Sequence, residues 1–183
     1  FAVNITRLAC MGLLLQLRFA GGLAQDQFSF MPLSGPELLV QVLDGCGDCG
    51  DIPTLAGMEL PAEEWRQYFE EKGALAGLDE NHVNLLVSYL SINFPNGSTD
   101  VGSLPRGGRS MAIMNCQLCH SIAIPMTQDR TLDRWLQHRA MAPHDGLSLT
   151  PQEWDTLANY LTVVAPLPLE TIPEQLRRGA GGY

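Results

Sequence analysis

The residues whose types and spacing promise chemistry are Cys116-Gln-Leu-Cys119-His120. Two thiols three residues apart share one side of a helical turn. Thiols so placed can add to the two vinyl groups along one edge of a porphyrin, which sets the following imidazole beneath the iron; this is the attachment spacing of a c-type haem. With 5 Cys and 4 His among 183 residues, random order yields such a pentapeptide in roughly 0.3% of chains, so chance is a poor rival.

Two other chemistries use cysteine pairs. Cys116 and Cys119 could join Cys46 and Cys49 in a four-thiolate zinc site, but His120 would then be idle and the gap between the pairs is long for such a site. A thiol–disulfide redox pair needs only the two cysteines, usually at a helix start within a strand–helix pattern, and no such pattern is present.

The elements that must position these groups show a repeat. Cys46 and Cys49 recur as Cys116 and Cys119, and Trp65 recurs as Trp135 at the same offset. Tyr89-Leu90 recurs as Tyr160-Leu161 and Pro95 as Pro166, one residue further on. In each half the pattern predicts a helix leading into the Cys pair, over about 37–43 with Ser34 as its cap and from about 109 in the second half. A middle helix carries the tryptophan, starting near Pro61 and near Thr131. The last helix is the plainest. Thr150-Pro151-Gln152-Glu153 is a capping box, followed by Trp154, Leu157, Ala158 and Leu161 on one face. Its twin begins after Asp79 with the stripe Val83, Leu86, Val87, Leu90. Strand alternation is absent, so the expected fold class is all-α.

A helix entering Cys-x-x-Cys-His, a tryptophan helix and a last helix bearing Tyr-Leu resemble the small class I c-type cytochrome domain. The resemblance covers residues 103–168, and residues 34–95 share it with one departure: Gly50 stands where the histidine should be. It implies tandem cytochrome c-like domains, the first degenerate and haem-less (34–95), a linker (96–108), a haem-binding domain (109–168) and a C-terminal tail (169–183) lying along a partner or the protein's own surface. One haem c is expected, with Cys116 and Cys119 as thioethers and His120 as proximal iron ligand. Such domains usually complete the iron with a methionine thioether. Met141, following the Trp135 helix, is the expected sixth ligand, with Met126, His138 and His144 as alternatives; Met111 and Met114 precede the Cys pair and cannot easily reach the far face. Cys46 and Cys49 would form a local disulfide or stay as buried thiols.

Residues 1–24 hold Arg7 ahead of an apolar run that ends in Gly22-Leu23-Ala24, the plan of an export signal interrupted by Gln16 and Arg18. An N-terminal anchor helix is the expectation, short for a full span, with a helix packed on another subunit as the alternative. Cys10 sits in no convincing lipoprotein signal. Haem c is attached outside the bacterial cytoplasm, as the resemblance implies, so the expected place is the periplasm, at the inner membrane.

The net charge of -9 is uneven. Residues 25–100 carry 13 acids against Arg66 and Lys72, a net of -11, whereas residues 101–183 balance 7 acids with 7 arginines. That sign disfavours nucleic acid and fits either solubility or steering of a basic partner. The expected function is a monohaem subunit relaying single electrons between a larger redox complex with membrane subunits and a soluble carrier, rather than an enzyme. The alternatives are a peroxidase-like haem enzyme with an open sixth site, and an adaptor subunit of a respiratory or photosynthetic complex.

Overall fold

A computed structural model of the protein describes residues 27–178, so the expected N-terminal helix over 1–24, Cys10 and the last five residues lie outside the described part. The described residues are helical and contain no strand, so this part of the chain is all-α. No helix among them is long and apolar enough to cross a membrane.

Among the described residues eight α-helices follow in order: α1 (Gly35–Gly45), α2 (Ile52–Ala56), α3 (Ala62–Glu71), α4 (Glu80–Asn93), α5 (Gly108–Met111), α6 (Ala123–Met126), α7 (Leu132–Gln137) and α8 (Pro151–Val164). The caps that the sequence promises are mostly in place. Asp79 accepts from His82 N and Thr150 from Glu153 N, the latter closing a reciprocal box with the Glu153 side chain. Thr131 caps α7 by accepting from Arg134 N. Ser34 occupies the N-cap position of α1 but bonds no backbone N–H; its hydroxyl donates to Glu37 Oε2 at 2.6 Å instead. The short helices α2 and α6 were not expected, because four or five residues carry too little periodicity to read.

The long helices α4 and α8 lie against each other at the centre; α1 and α3 pack on α4, and α5 and α7 pack on α8. The stripes Val83, Leu86, Val87, Leu90 and Trp154, Leu157, Ala158, Leu161 are all buried in one apolar core that runs through both halves. Burying those faces drives the assembly, since most helix stability in a protein comes from packing rather than propensity.

The seam is tied reciprocally. Tyr89 on α4 donates its hydroxyl to Pro105 O, just ahead of α5, at 2.8 Å. Tyr160 on α8 donates to Pro32 O, just ahead of α1, also at 2.8 Å. Asn93 Nδ2 donates to Thr156 Oγ1 at 2.9 Å between α4 and α8, both side chains being buried. Each tyrosine ring also covers a glycine in its own half: a Cβ on Gly35 would overlap Tyr89, and one on Gly108 would overlap Tyr160. Those helices cross so closely that only hydrogen fits.

After α8 the chain doubles back over the second half. Leu167 N donates to Met126 O, Ile172 is fully buried and Ser121 Oγ donates to Leu176 O. Of the two places expected for the tail, its described part takes the protein's own surface.

Gly108→Ala should therefore cost about 1–3 kcal/mol through overpacking. Gly45→Ala, where an added Cβ meets nothing within 4 Å, should stay within about 0.5 kcal/mol of the parent. Chemical denaturation of both variants checks this. Equal midpoints would refute the close crossing.

Candidate functional site

From α5 the helix widens into a π turn over Ala112–Cys116, a distortion found frequently at functional sites. Asn115 Nδ2 bonds back to Met111 O at 2.9 Å and steadies that turn. It delivers Cys116, and the following turn presents Cys119 and His120, to the rim of a cavity of about 170 Å³. Ile124, Pro125, Leu147, Leu157 and Leu161 make its walls apolar, and Asn115, Gln128, Arg130, Trp135, His138, Pro143, His144 and Trp154 complete the lining.

The two cysteine pairs differ in chemical state. Cys46 and Cys49 form a disulfide, whereas Cys116 and Cys119 are free thiols. The disulfide removes the four-thiolate zinc site. Burial pushes the half-buried Cys116 thiol up to about 12, opposite to the lowered value of a redox-active cysteine.

Three imidazoles meet at the cavity. The His120 ring stands 6.3 Å from that of His144, and His144 stands 5.5 Å from His138. His120 Nδ1 is 3.1 Å from Ser121 O; a carbonyl can only accept, so Nδ1 carries the proton and Nε2 keeps its lone pair for a metal. The same logic holds for His138, whose Nδ1 lies 2.7 Å from Arg134 O. His144 Nδ1 is buried with no hydrogen-bond partner. Burial first, then the neighbouring His138 and His120, lowers its pKa below the ordinary imidazole value. The neutral ring is the form that ligates metal.

A second orphan is Trp135 Nε1, buried without an acceptor on the cavity wall. Arg130 lies over the same indole at 5.4 Å. Trp65 Nε1 in the first half is buried without an acceptor too, so the orphan alone marks no ligand; what sets Trp135 apart is its place on the cavity wall beside an arginine, whose guanidinium favours a carboxylate.

The expected sixth ligand is not brought to this cavity. Met141 is 52% exposed and absent from the lining. The cause is local. After the 3₁₀ turn His138–Ala140, Met141 O accepts from His144 N at 2.7 Å and Asp145 N at 3.3 Å, closing a tight turn that carries His144 to the cavity while the Met141 side chain stays at the surface. Of the alternatives, Met126 is fully buried but lines no part of the cavity, whereas His138 and His144 both do. Arg130 and Trp135 meet as a polar corner of the wall, and an arginine five residues before a core tryptophan is the mark it leaves in the sequence.

The corresponding place in the first half is filled. Trp65 is fully buried, stacks on Phe69 at 6.0 Å and meets Tyr68 and Phe94 edge-on, each at 6.0 Å. Tyr68 donates its hydroxyl to Cys49 O at 2.9 Å. Gly50, where His120 has its counterpart, adopts φ +81, a left-handed conformation that side-chain-bearing residues enter at a cost.

No known protein family matches this chain, and no curated protein or solved structure matches it either.

In the chain with its thiols unmodified, a thiol reagent should alkylate exposed Cys119 well before Cys116, and Cys46 and Cys49 only after reduction. Peptide mapping of the labelled protein checks this. Early labelling at Cys46 would contradict the assignment of the disulfide.

Proposed function

We propose that the chain is a periplasmic, membrane-associated monohaem cytochrome c subunit that relays single electrons between a larger redox complex and a soluble carrier. The observation that carries this reading is the convergence of two free thiols and a His120 whose Nδ1 is held by Ser121 O on an apolar cavity. The residues fit the group. Cys116 and Cys119 would hold a haem by thioethers and His120 would face the iron, while Trp135 and Arg130 would receive its carboxylates. Each thiol adds across one vinyl C=C, sulfur going to one carbon and the proton to the other, so attachment needs no oxidant but does need reduced thiols. Only the second pair is free.

When bound, the haem supplies a one-electron iron couple in an apolar setting. The chain's part is to orient His120 through Ser121 O, to exclude water with Leu147, Leu157 and Leu161, and to keep Cys119 at the exposed rim where a partner approaches.

In this reading the two halves are tandem cytochrome c-like domains, 34–95 and 109–168, of which the first has lost its haem and serves as an adaptor. Supporting it are the twin long helices, the reciprocal tyrosine bonds and the aromatic packing around Trp65. The Cys46–Cys49 disulfide favours an oxidising compartment, as does the chemistry of haem c attachment. Membrane association is assigned to residues 1–24.

Intact-mass analysis of the denatured, extracted chain should show one haem adduct, mapping to the peptide of Cys116 and Cys119. Two adducts, none, or one on the Cys46 peptide would overturn the reading.

The acidic half adds a docking surface. Arg66 is engaged by Glu80 at 2.8 Å and Lys72 lies over the Tyr68 ring at 5.0 Å, so its two cations are spent internally. Glu63, Glu64, Glu70 and Glu71 remain exposed on α3. Electron exchange with a basic soluble redox protein should slow as salt rises. Changing those four residues to Gln should remove much of the dependence, and a rate flat in ionic strength would reduce this face to a solvated surface.

A further inference from the structure

We infer that the second axial ligand of the haem held at Cys116, Cys119 and His120 is His144, giving a bis-imidazole iron rather than a histidine–methionine one. This rests on the haem reading above.

The spacing of the rings is the first observation. A metal–imidazole bond is about 2 Å, so two imidazoles flanking one ion have centroids roughly 6 Å apart once their ring radii are added. His120 and His144 stand at 6.3 Å. The same distance suits an edge-to-face ring pair, such as His144 and Trp154 at 6.4 Å, so the spacing is compatible with an ion between the rings and does not by itself require one. The His120 ring is held by its Nδ1–H bond to Ser121 O, so the separation is set by the backbone on one side and by the Met141–His144 turn on the other.

The second observation is the state of His144. It lines the cavity, yet its Nδ1 is buried and unpartnered, so nothing in the chain claims the ring for a structural hydrogen bond. His138 is held differently. Its Nδ1 is tied to Arg134 O and its ring leans on Trp135 at 5.6 Å, and among the described residues no ring contact joins it to His120. It backs His144 at 5.5 Å and acts as a positioning residue.

The third observation is that no methionine among the described residues lines the cavity. Met141 is 52% exposed and Met114 is 56% exposed, while Met111 and Met126 are fully buried away from the cavity lining. For Met141 to reach the iron, the turn closed by His144 N and Asp145 N on Met141 O would have to open.

The functional consequence is a lower potential. A thioether favours ferrous iron, and a second imidazole forgoes that bias. The chain would then serve partners more reducing than those matched to a histidine–methionine haem.

The test uses the haem-loaded full chain and its absorption and paramagnetic resonance spectra. The parent should be six-coordinate and low-spin without a sulfur-to-iron band. His144→Ala should lose the low-spin signature and regain it when free imidazole is added. His144→Met should stay six-coordinate, acquire the sulfur-to-iron band and shift to higher potential, which covers the case in which the alanine variant fails to fold. Met141→Ala should change nothing. A sulfur-to-iron band in the parent, or a low-spin spectrum that survives His144→Ala without added ligand, overturns His144 while leaving the covalent haem in place. A chain that carries no haem overturns both readings together.

Discussion

The close crossing of α5 on α8 at Gly108 is the constraint from which the site follows. With the Tyr160 ring against a residue that has no side chain, the two helices approach until the π turn after α5 stands beside Leu157 and Leu161. Cys116 is thereby set at the edge of an apolar wall, and the turn after it brings His120 to the same cavity. A single Cβ at Gly108 would lever the Cys116–His120 segment away from that wall. The hydroxyl of the same tyrosine reaches Pro32 O in the other half, so the crossing that builds the site also fastens the first half to it.

The two halves show how one helical plan carries two outcomes. In the second, an imidazole follows the second cysteine and the space between helices is open. In the first, Gly50 replaces the imidazole, the cysteines close on each other, and Trp65, Tyr68, Phe69 and Phe94 occupy the interior. Those aromatics supply the close packing and burial of the first half from its own side chains. The cavity that stays open in the other half is then the part of the molecule that its own side chains do not complete.

Much of this was legible in the sequence. The helices α4 and α8 declared themselves through a four-membered apolar stripe and a capping residue each, because local hydrogen bonds and one buried face are written in neighbouring residues. The cysteine–histidine motif was legible for the same reason. The placement of Met141 was not. Whether Met141 or His144 meets the cavity depends on a four-residue turn after the 3₁₀ helix, and such a turn follows from backbone hydrogen bonds that leave no periodic mark. Ser34 likewise stood at the right position for a cap, yet its hydroxyl found Glu37, a choice between partners that spacing alone does not decide. The pairing of Tyr89 with Pro105 and of Tyr160 with Pro32 joins residues of opposite halves, and no local pattern announces it.

We propose that the second half alone holds an iron-bearing group at His120. Anomalous scattering at the iron edge from crystals of the haem-loaded full chain tests it most directly. The account predicts a single iron peak per chain, beside His120 Nε2 and within the cavity walled by Leu157 and Leu161. A peak beside the Cys46–Cys49 segment, or none in the second half, would contradict it.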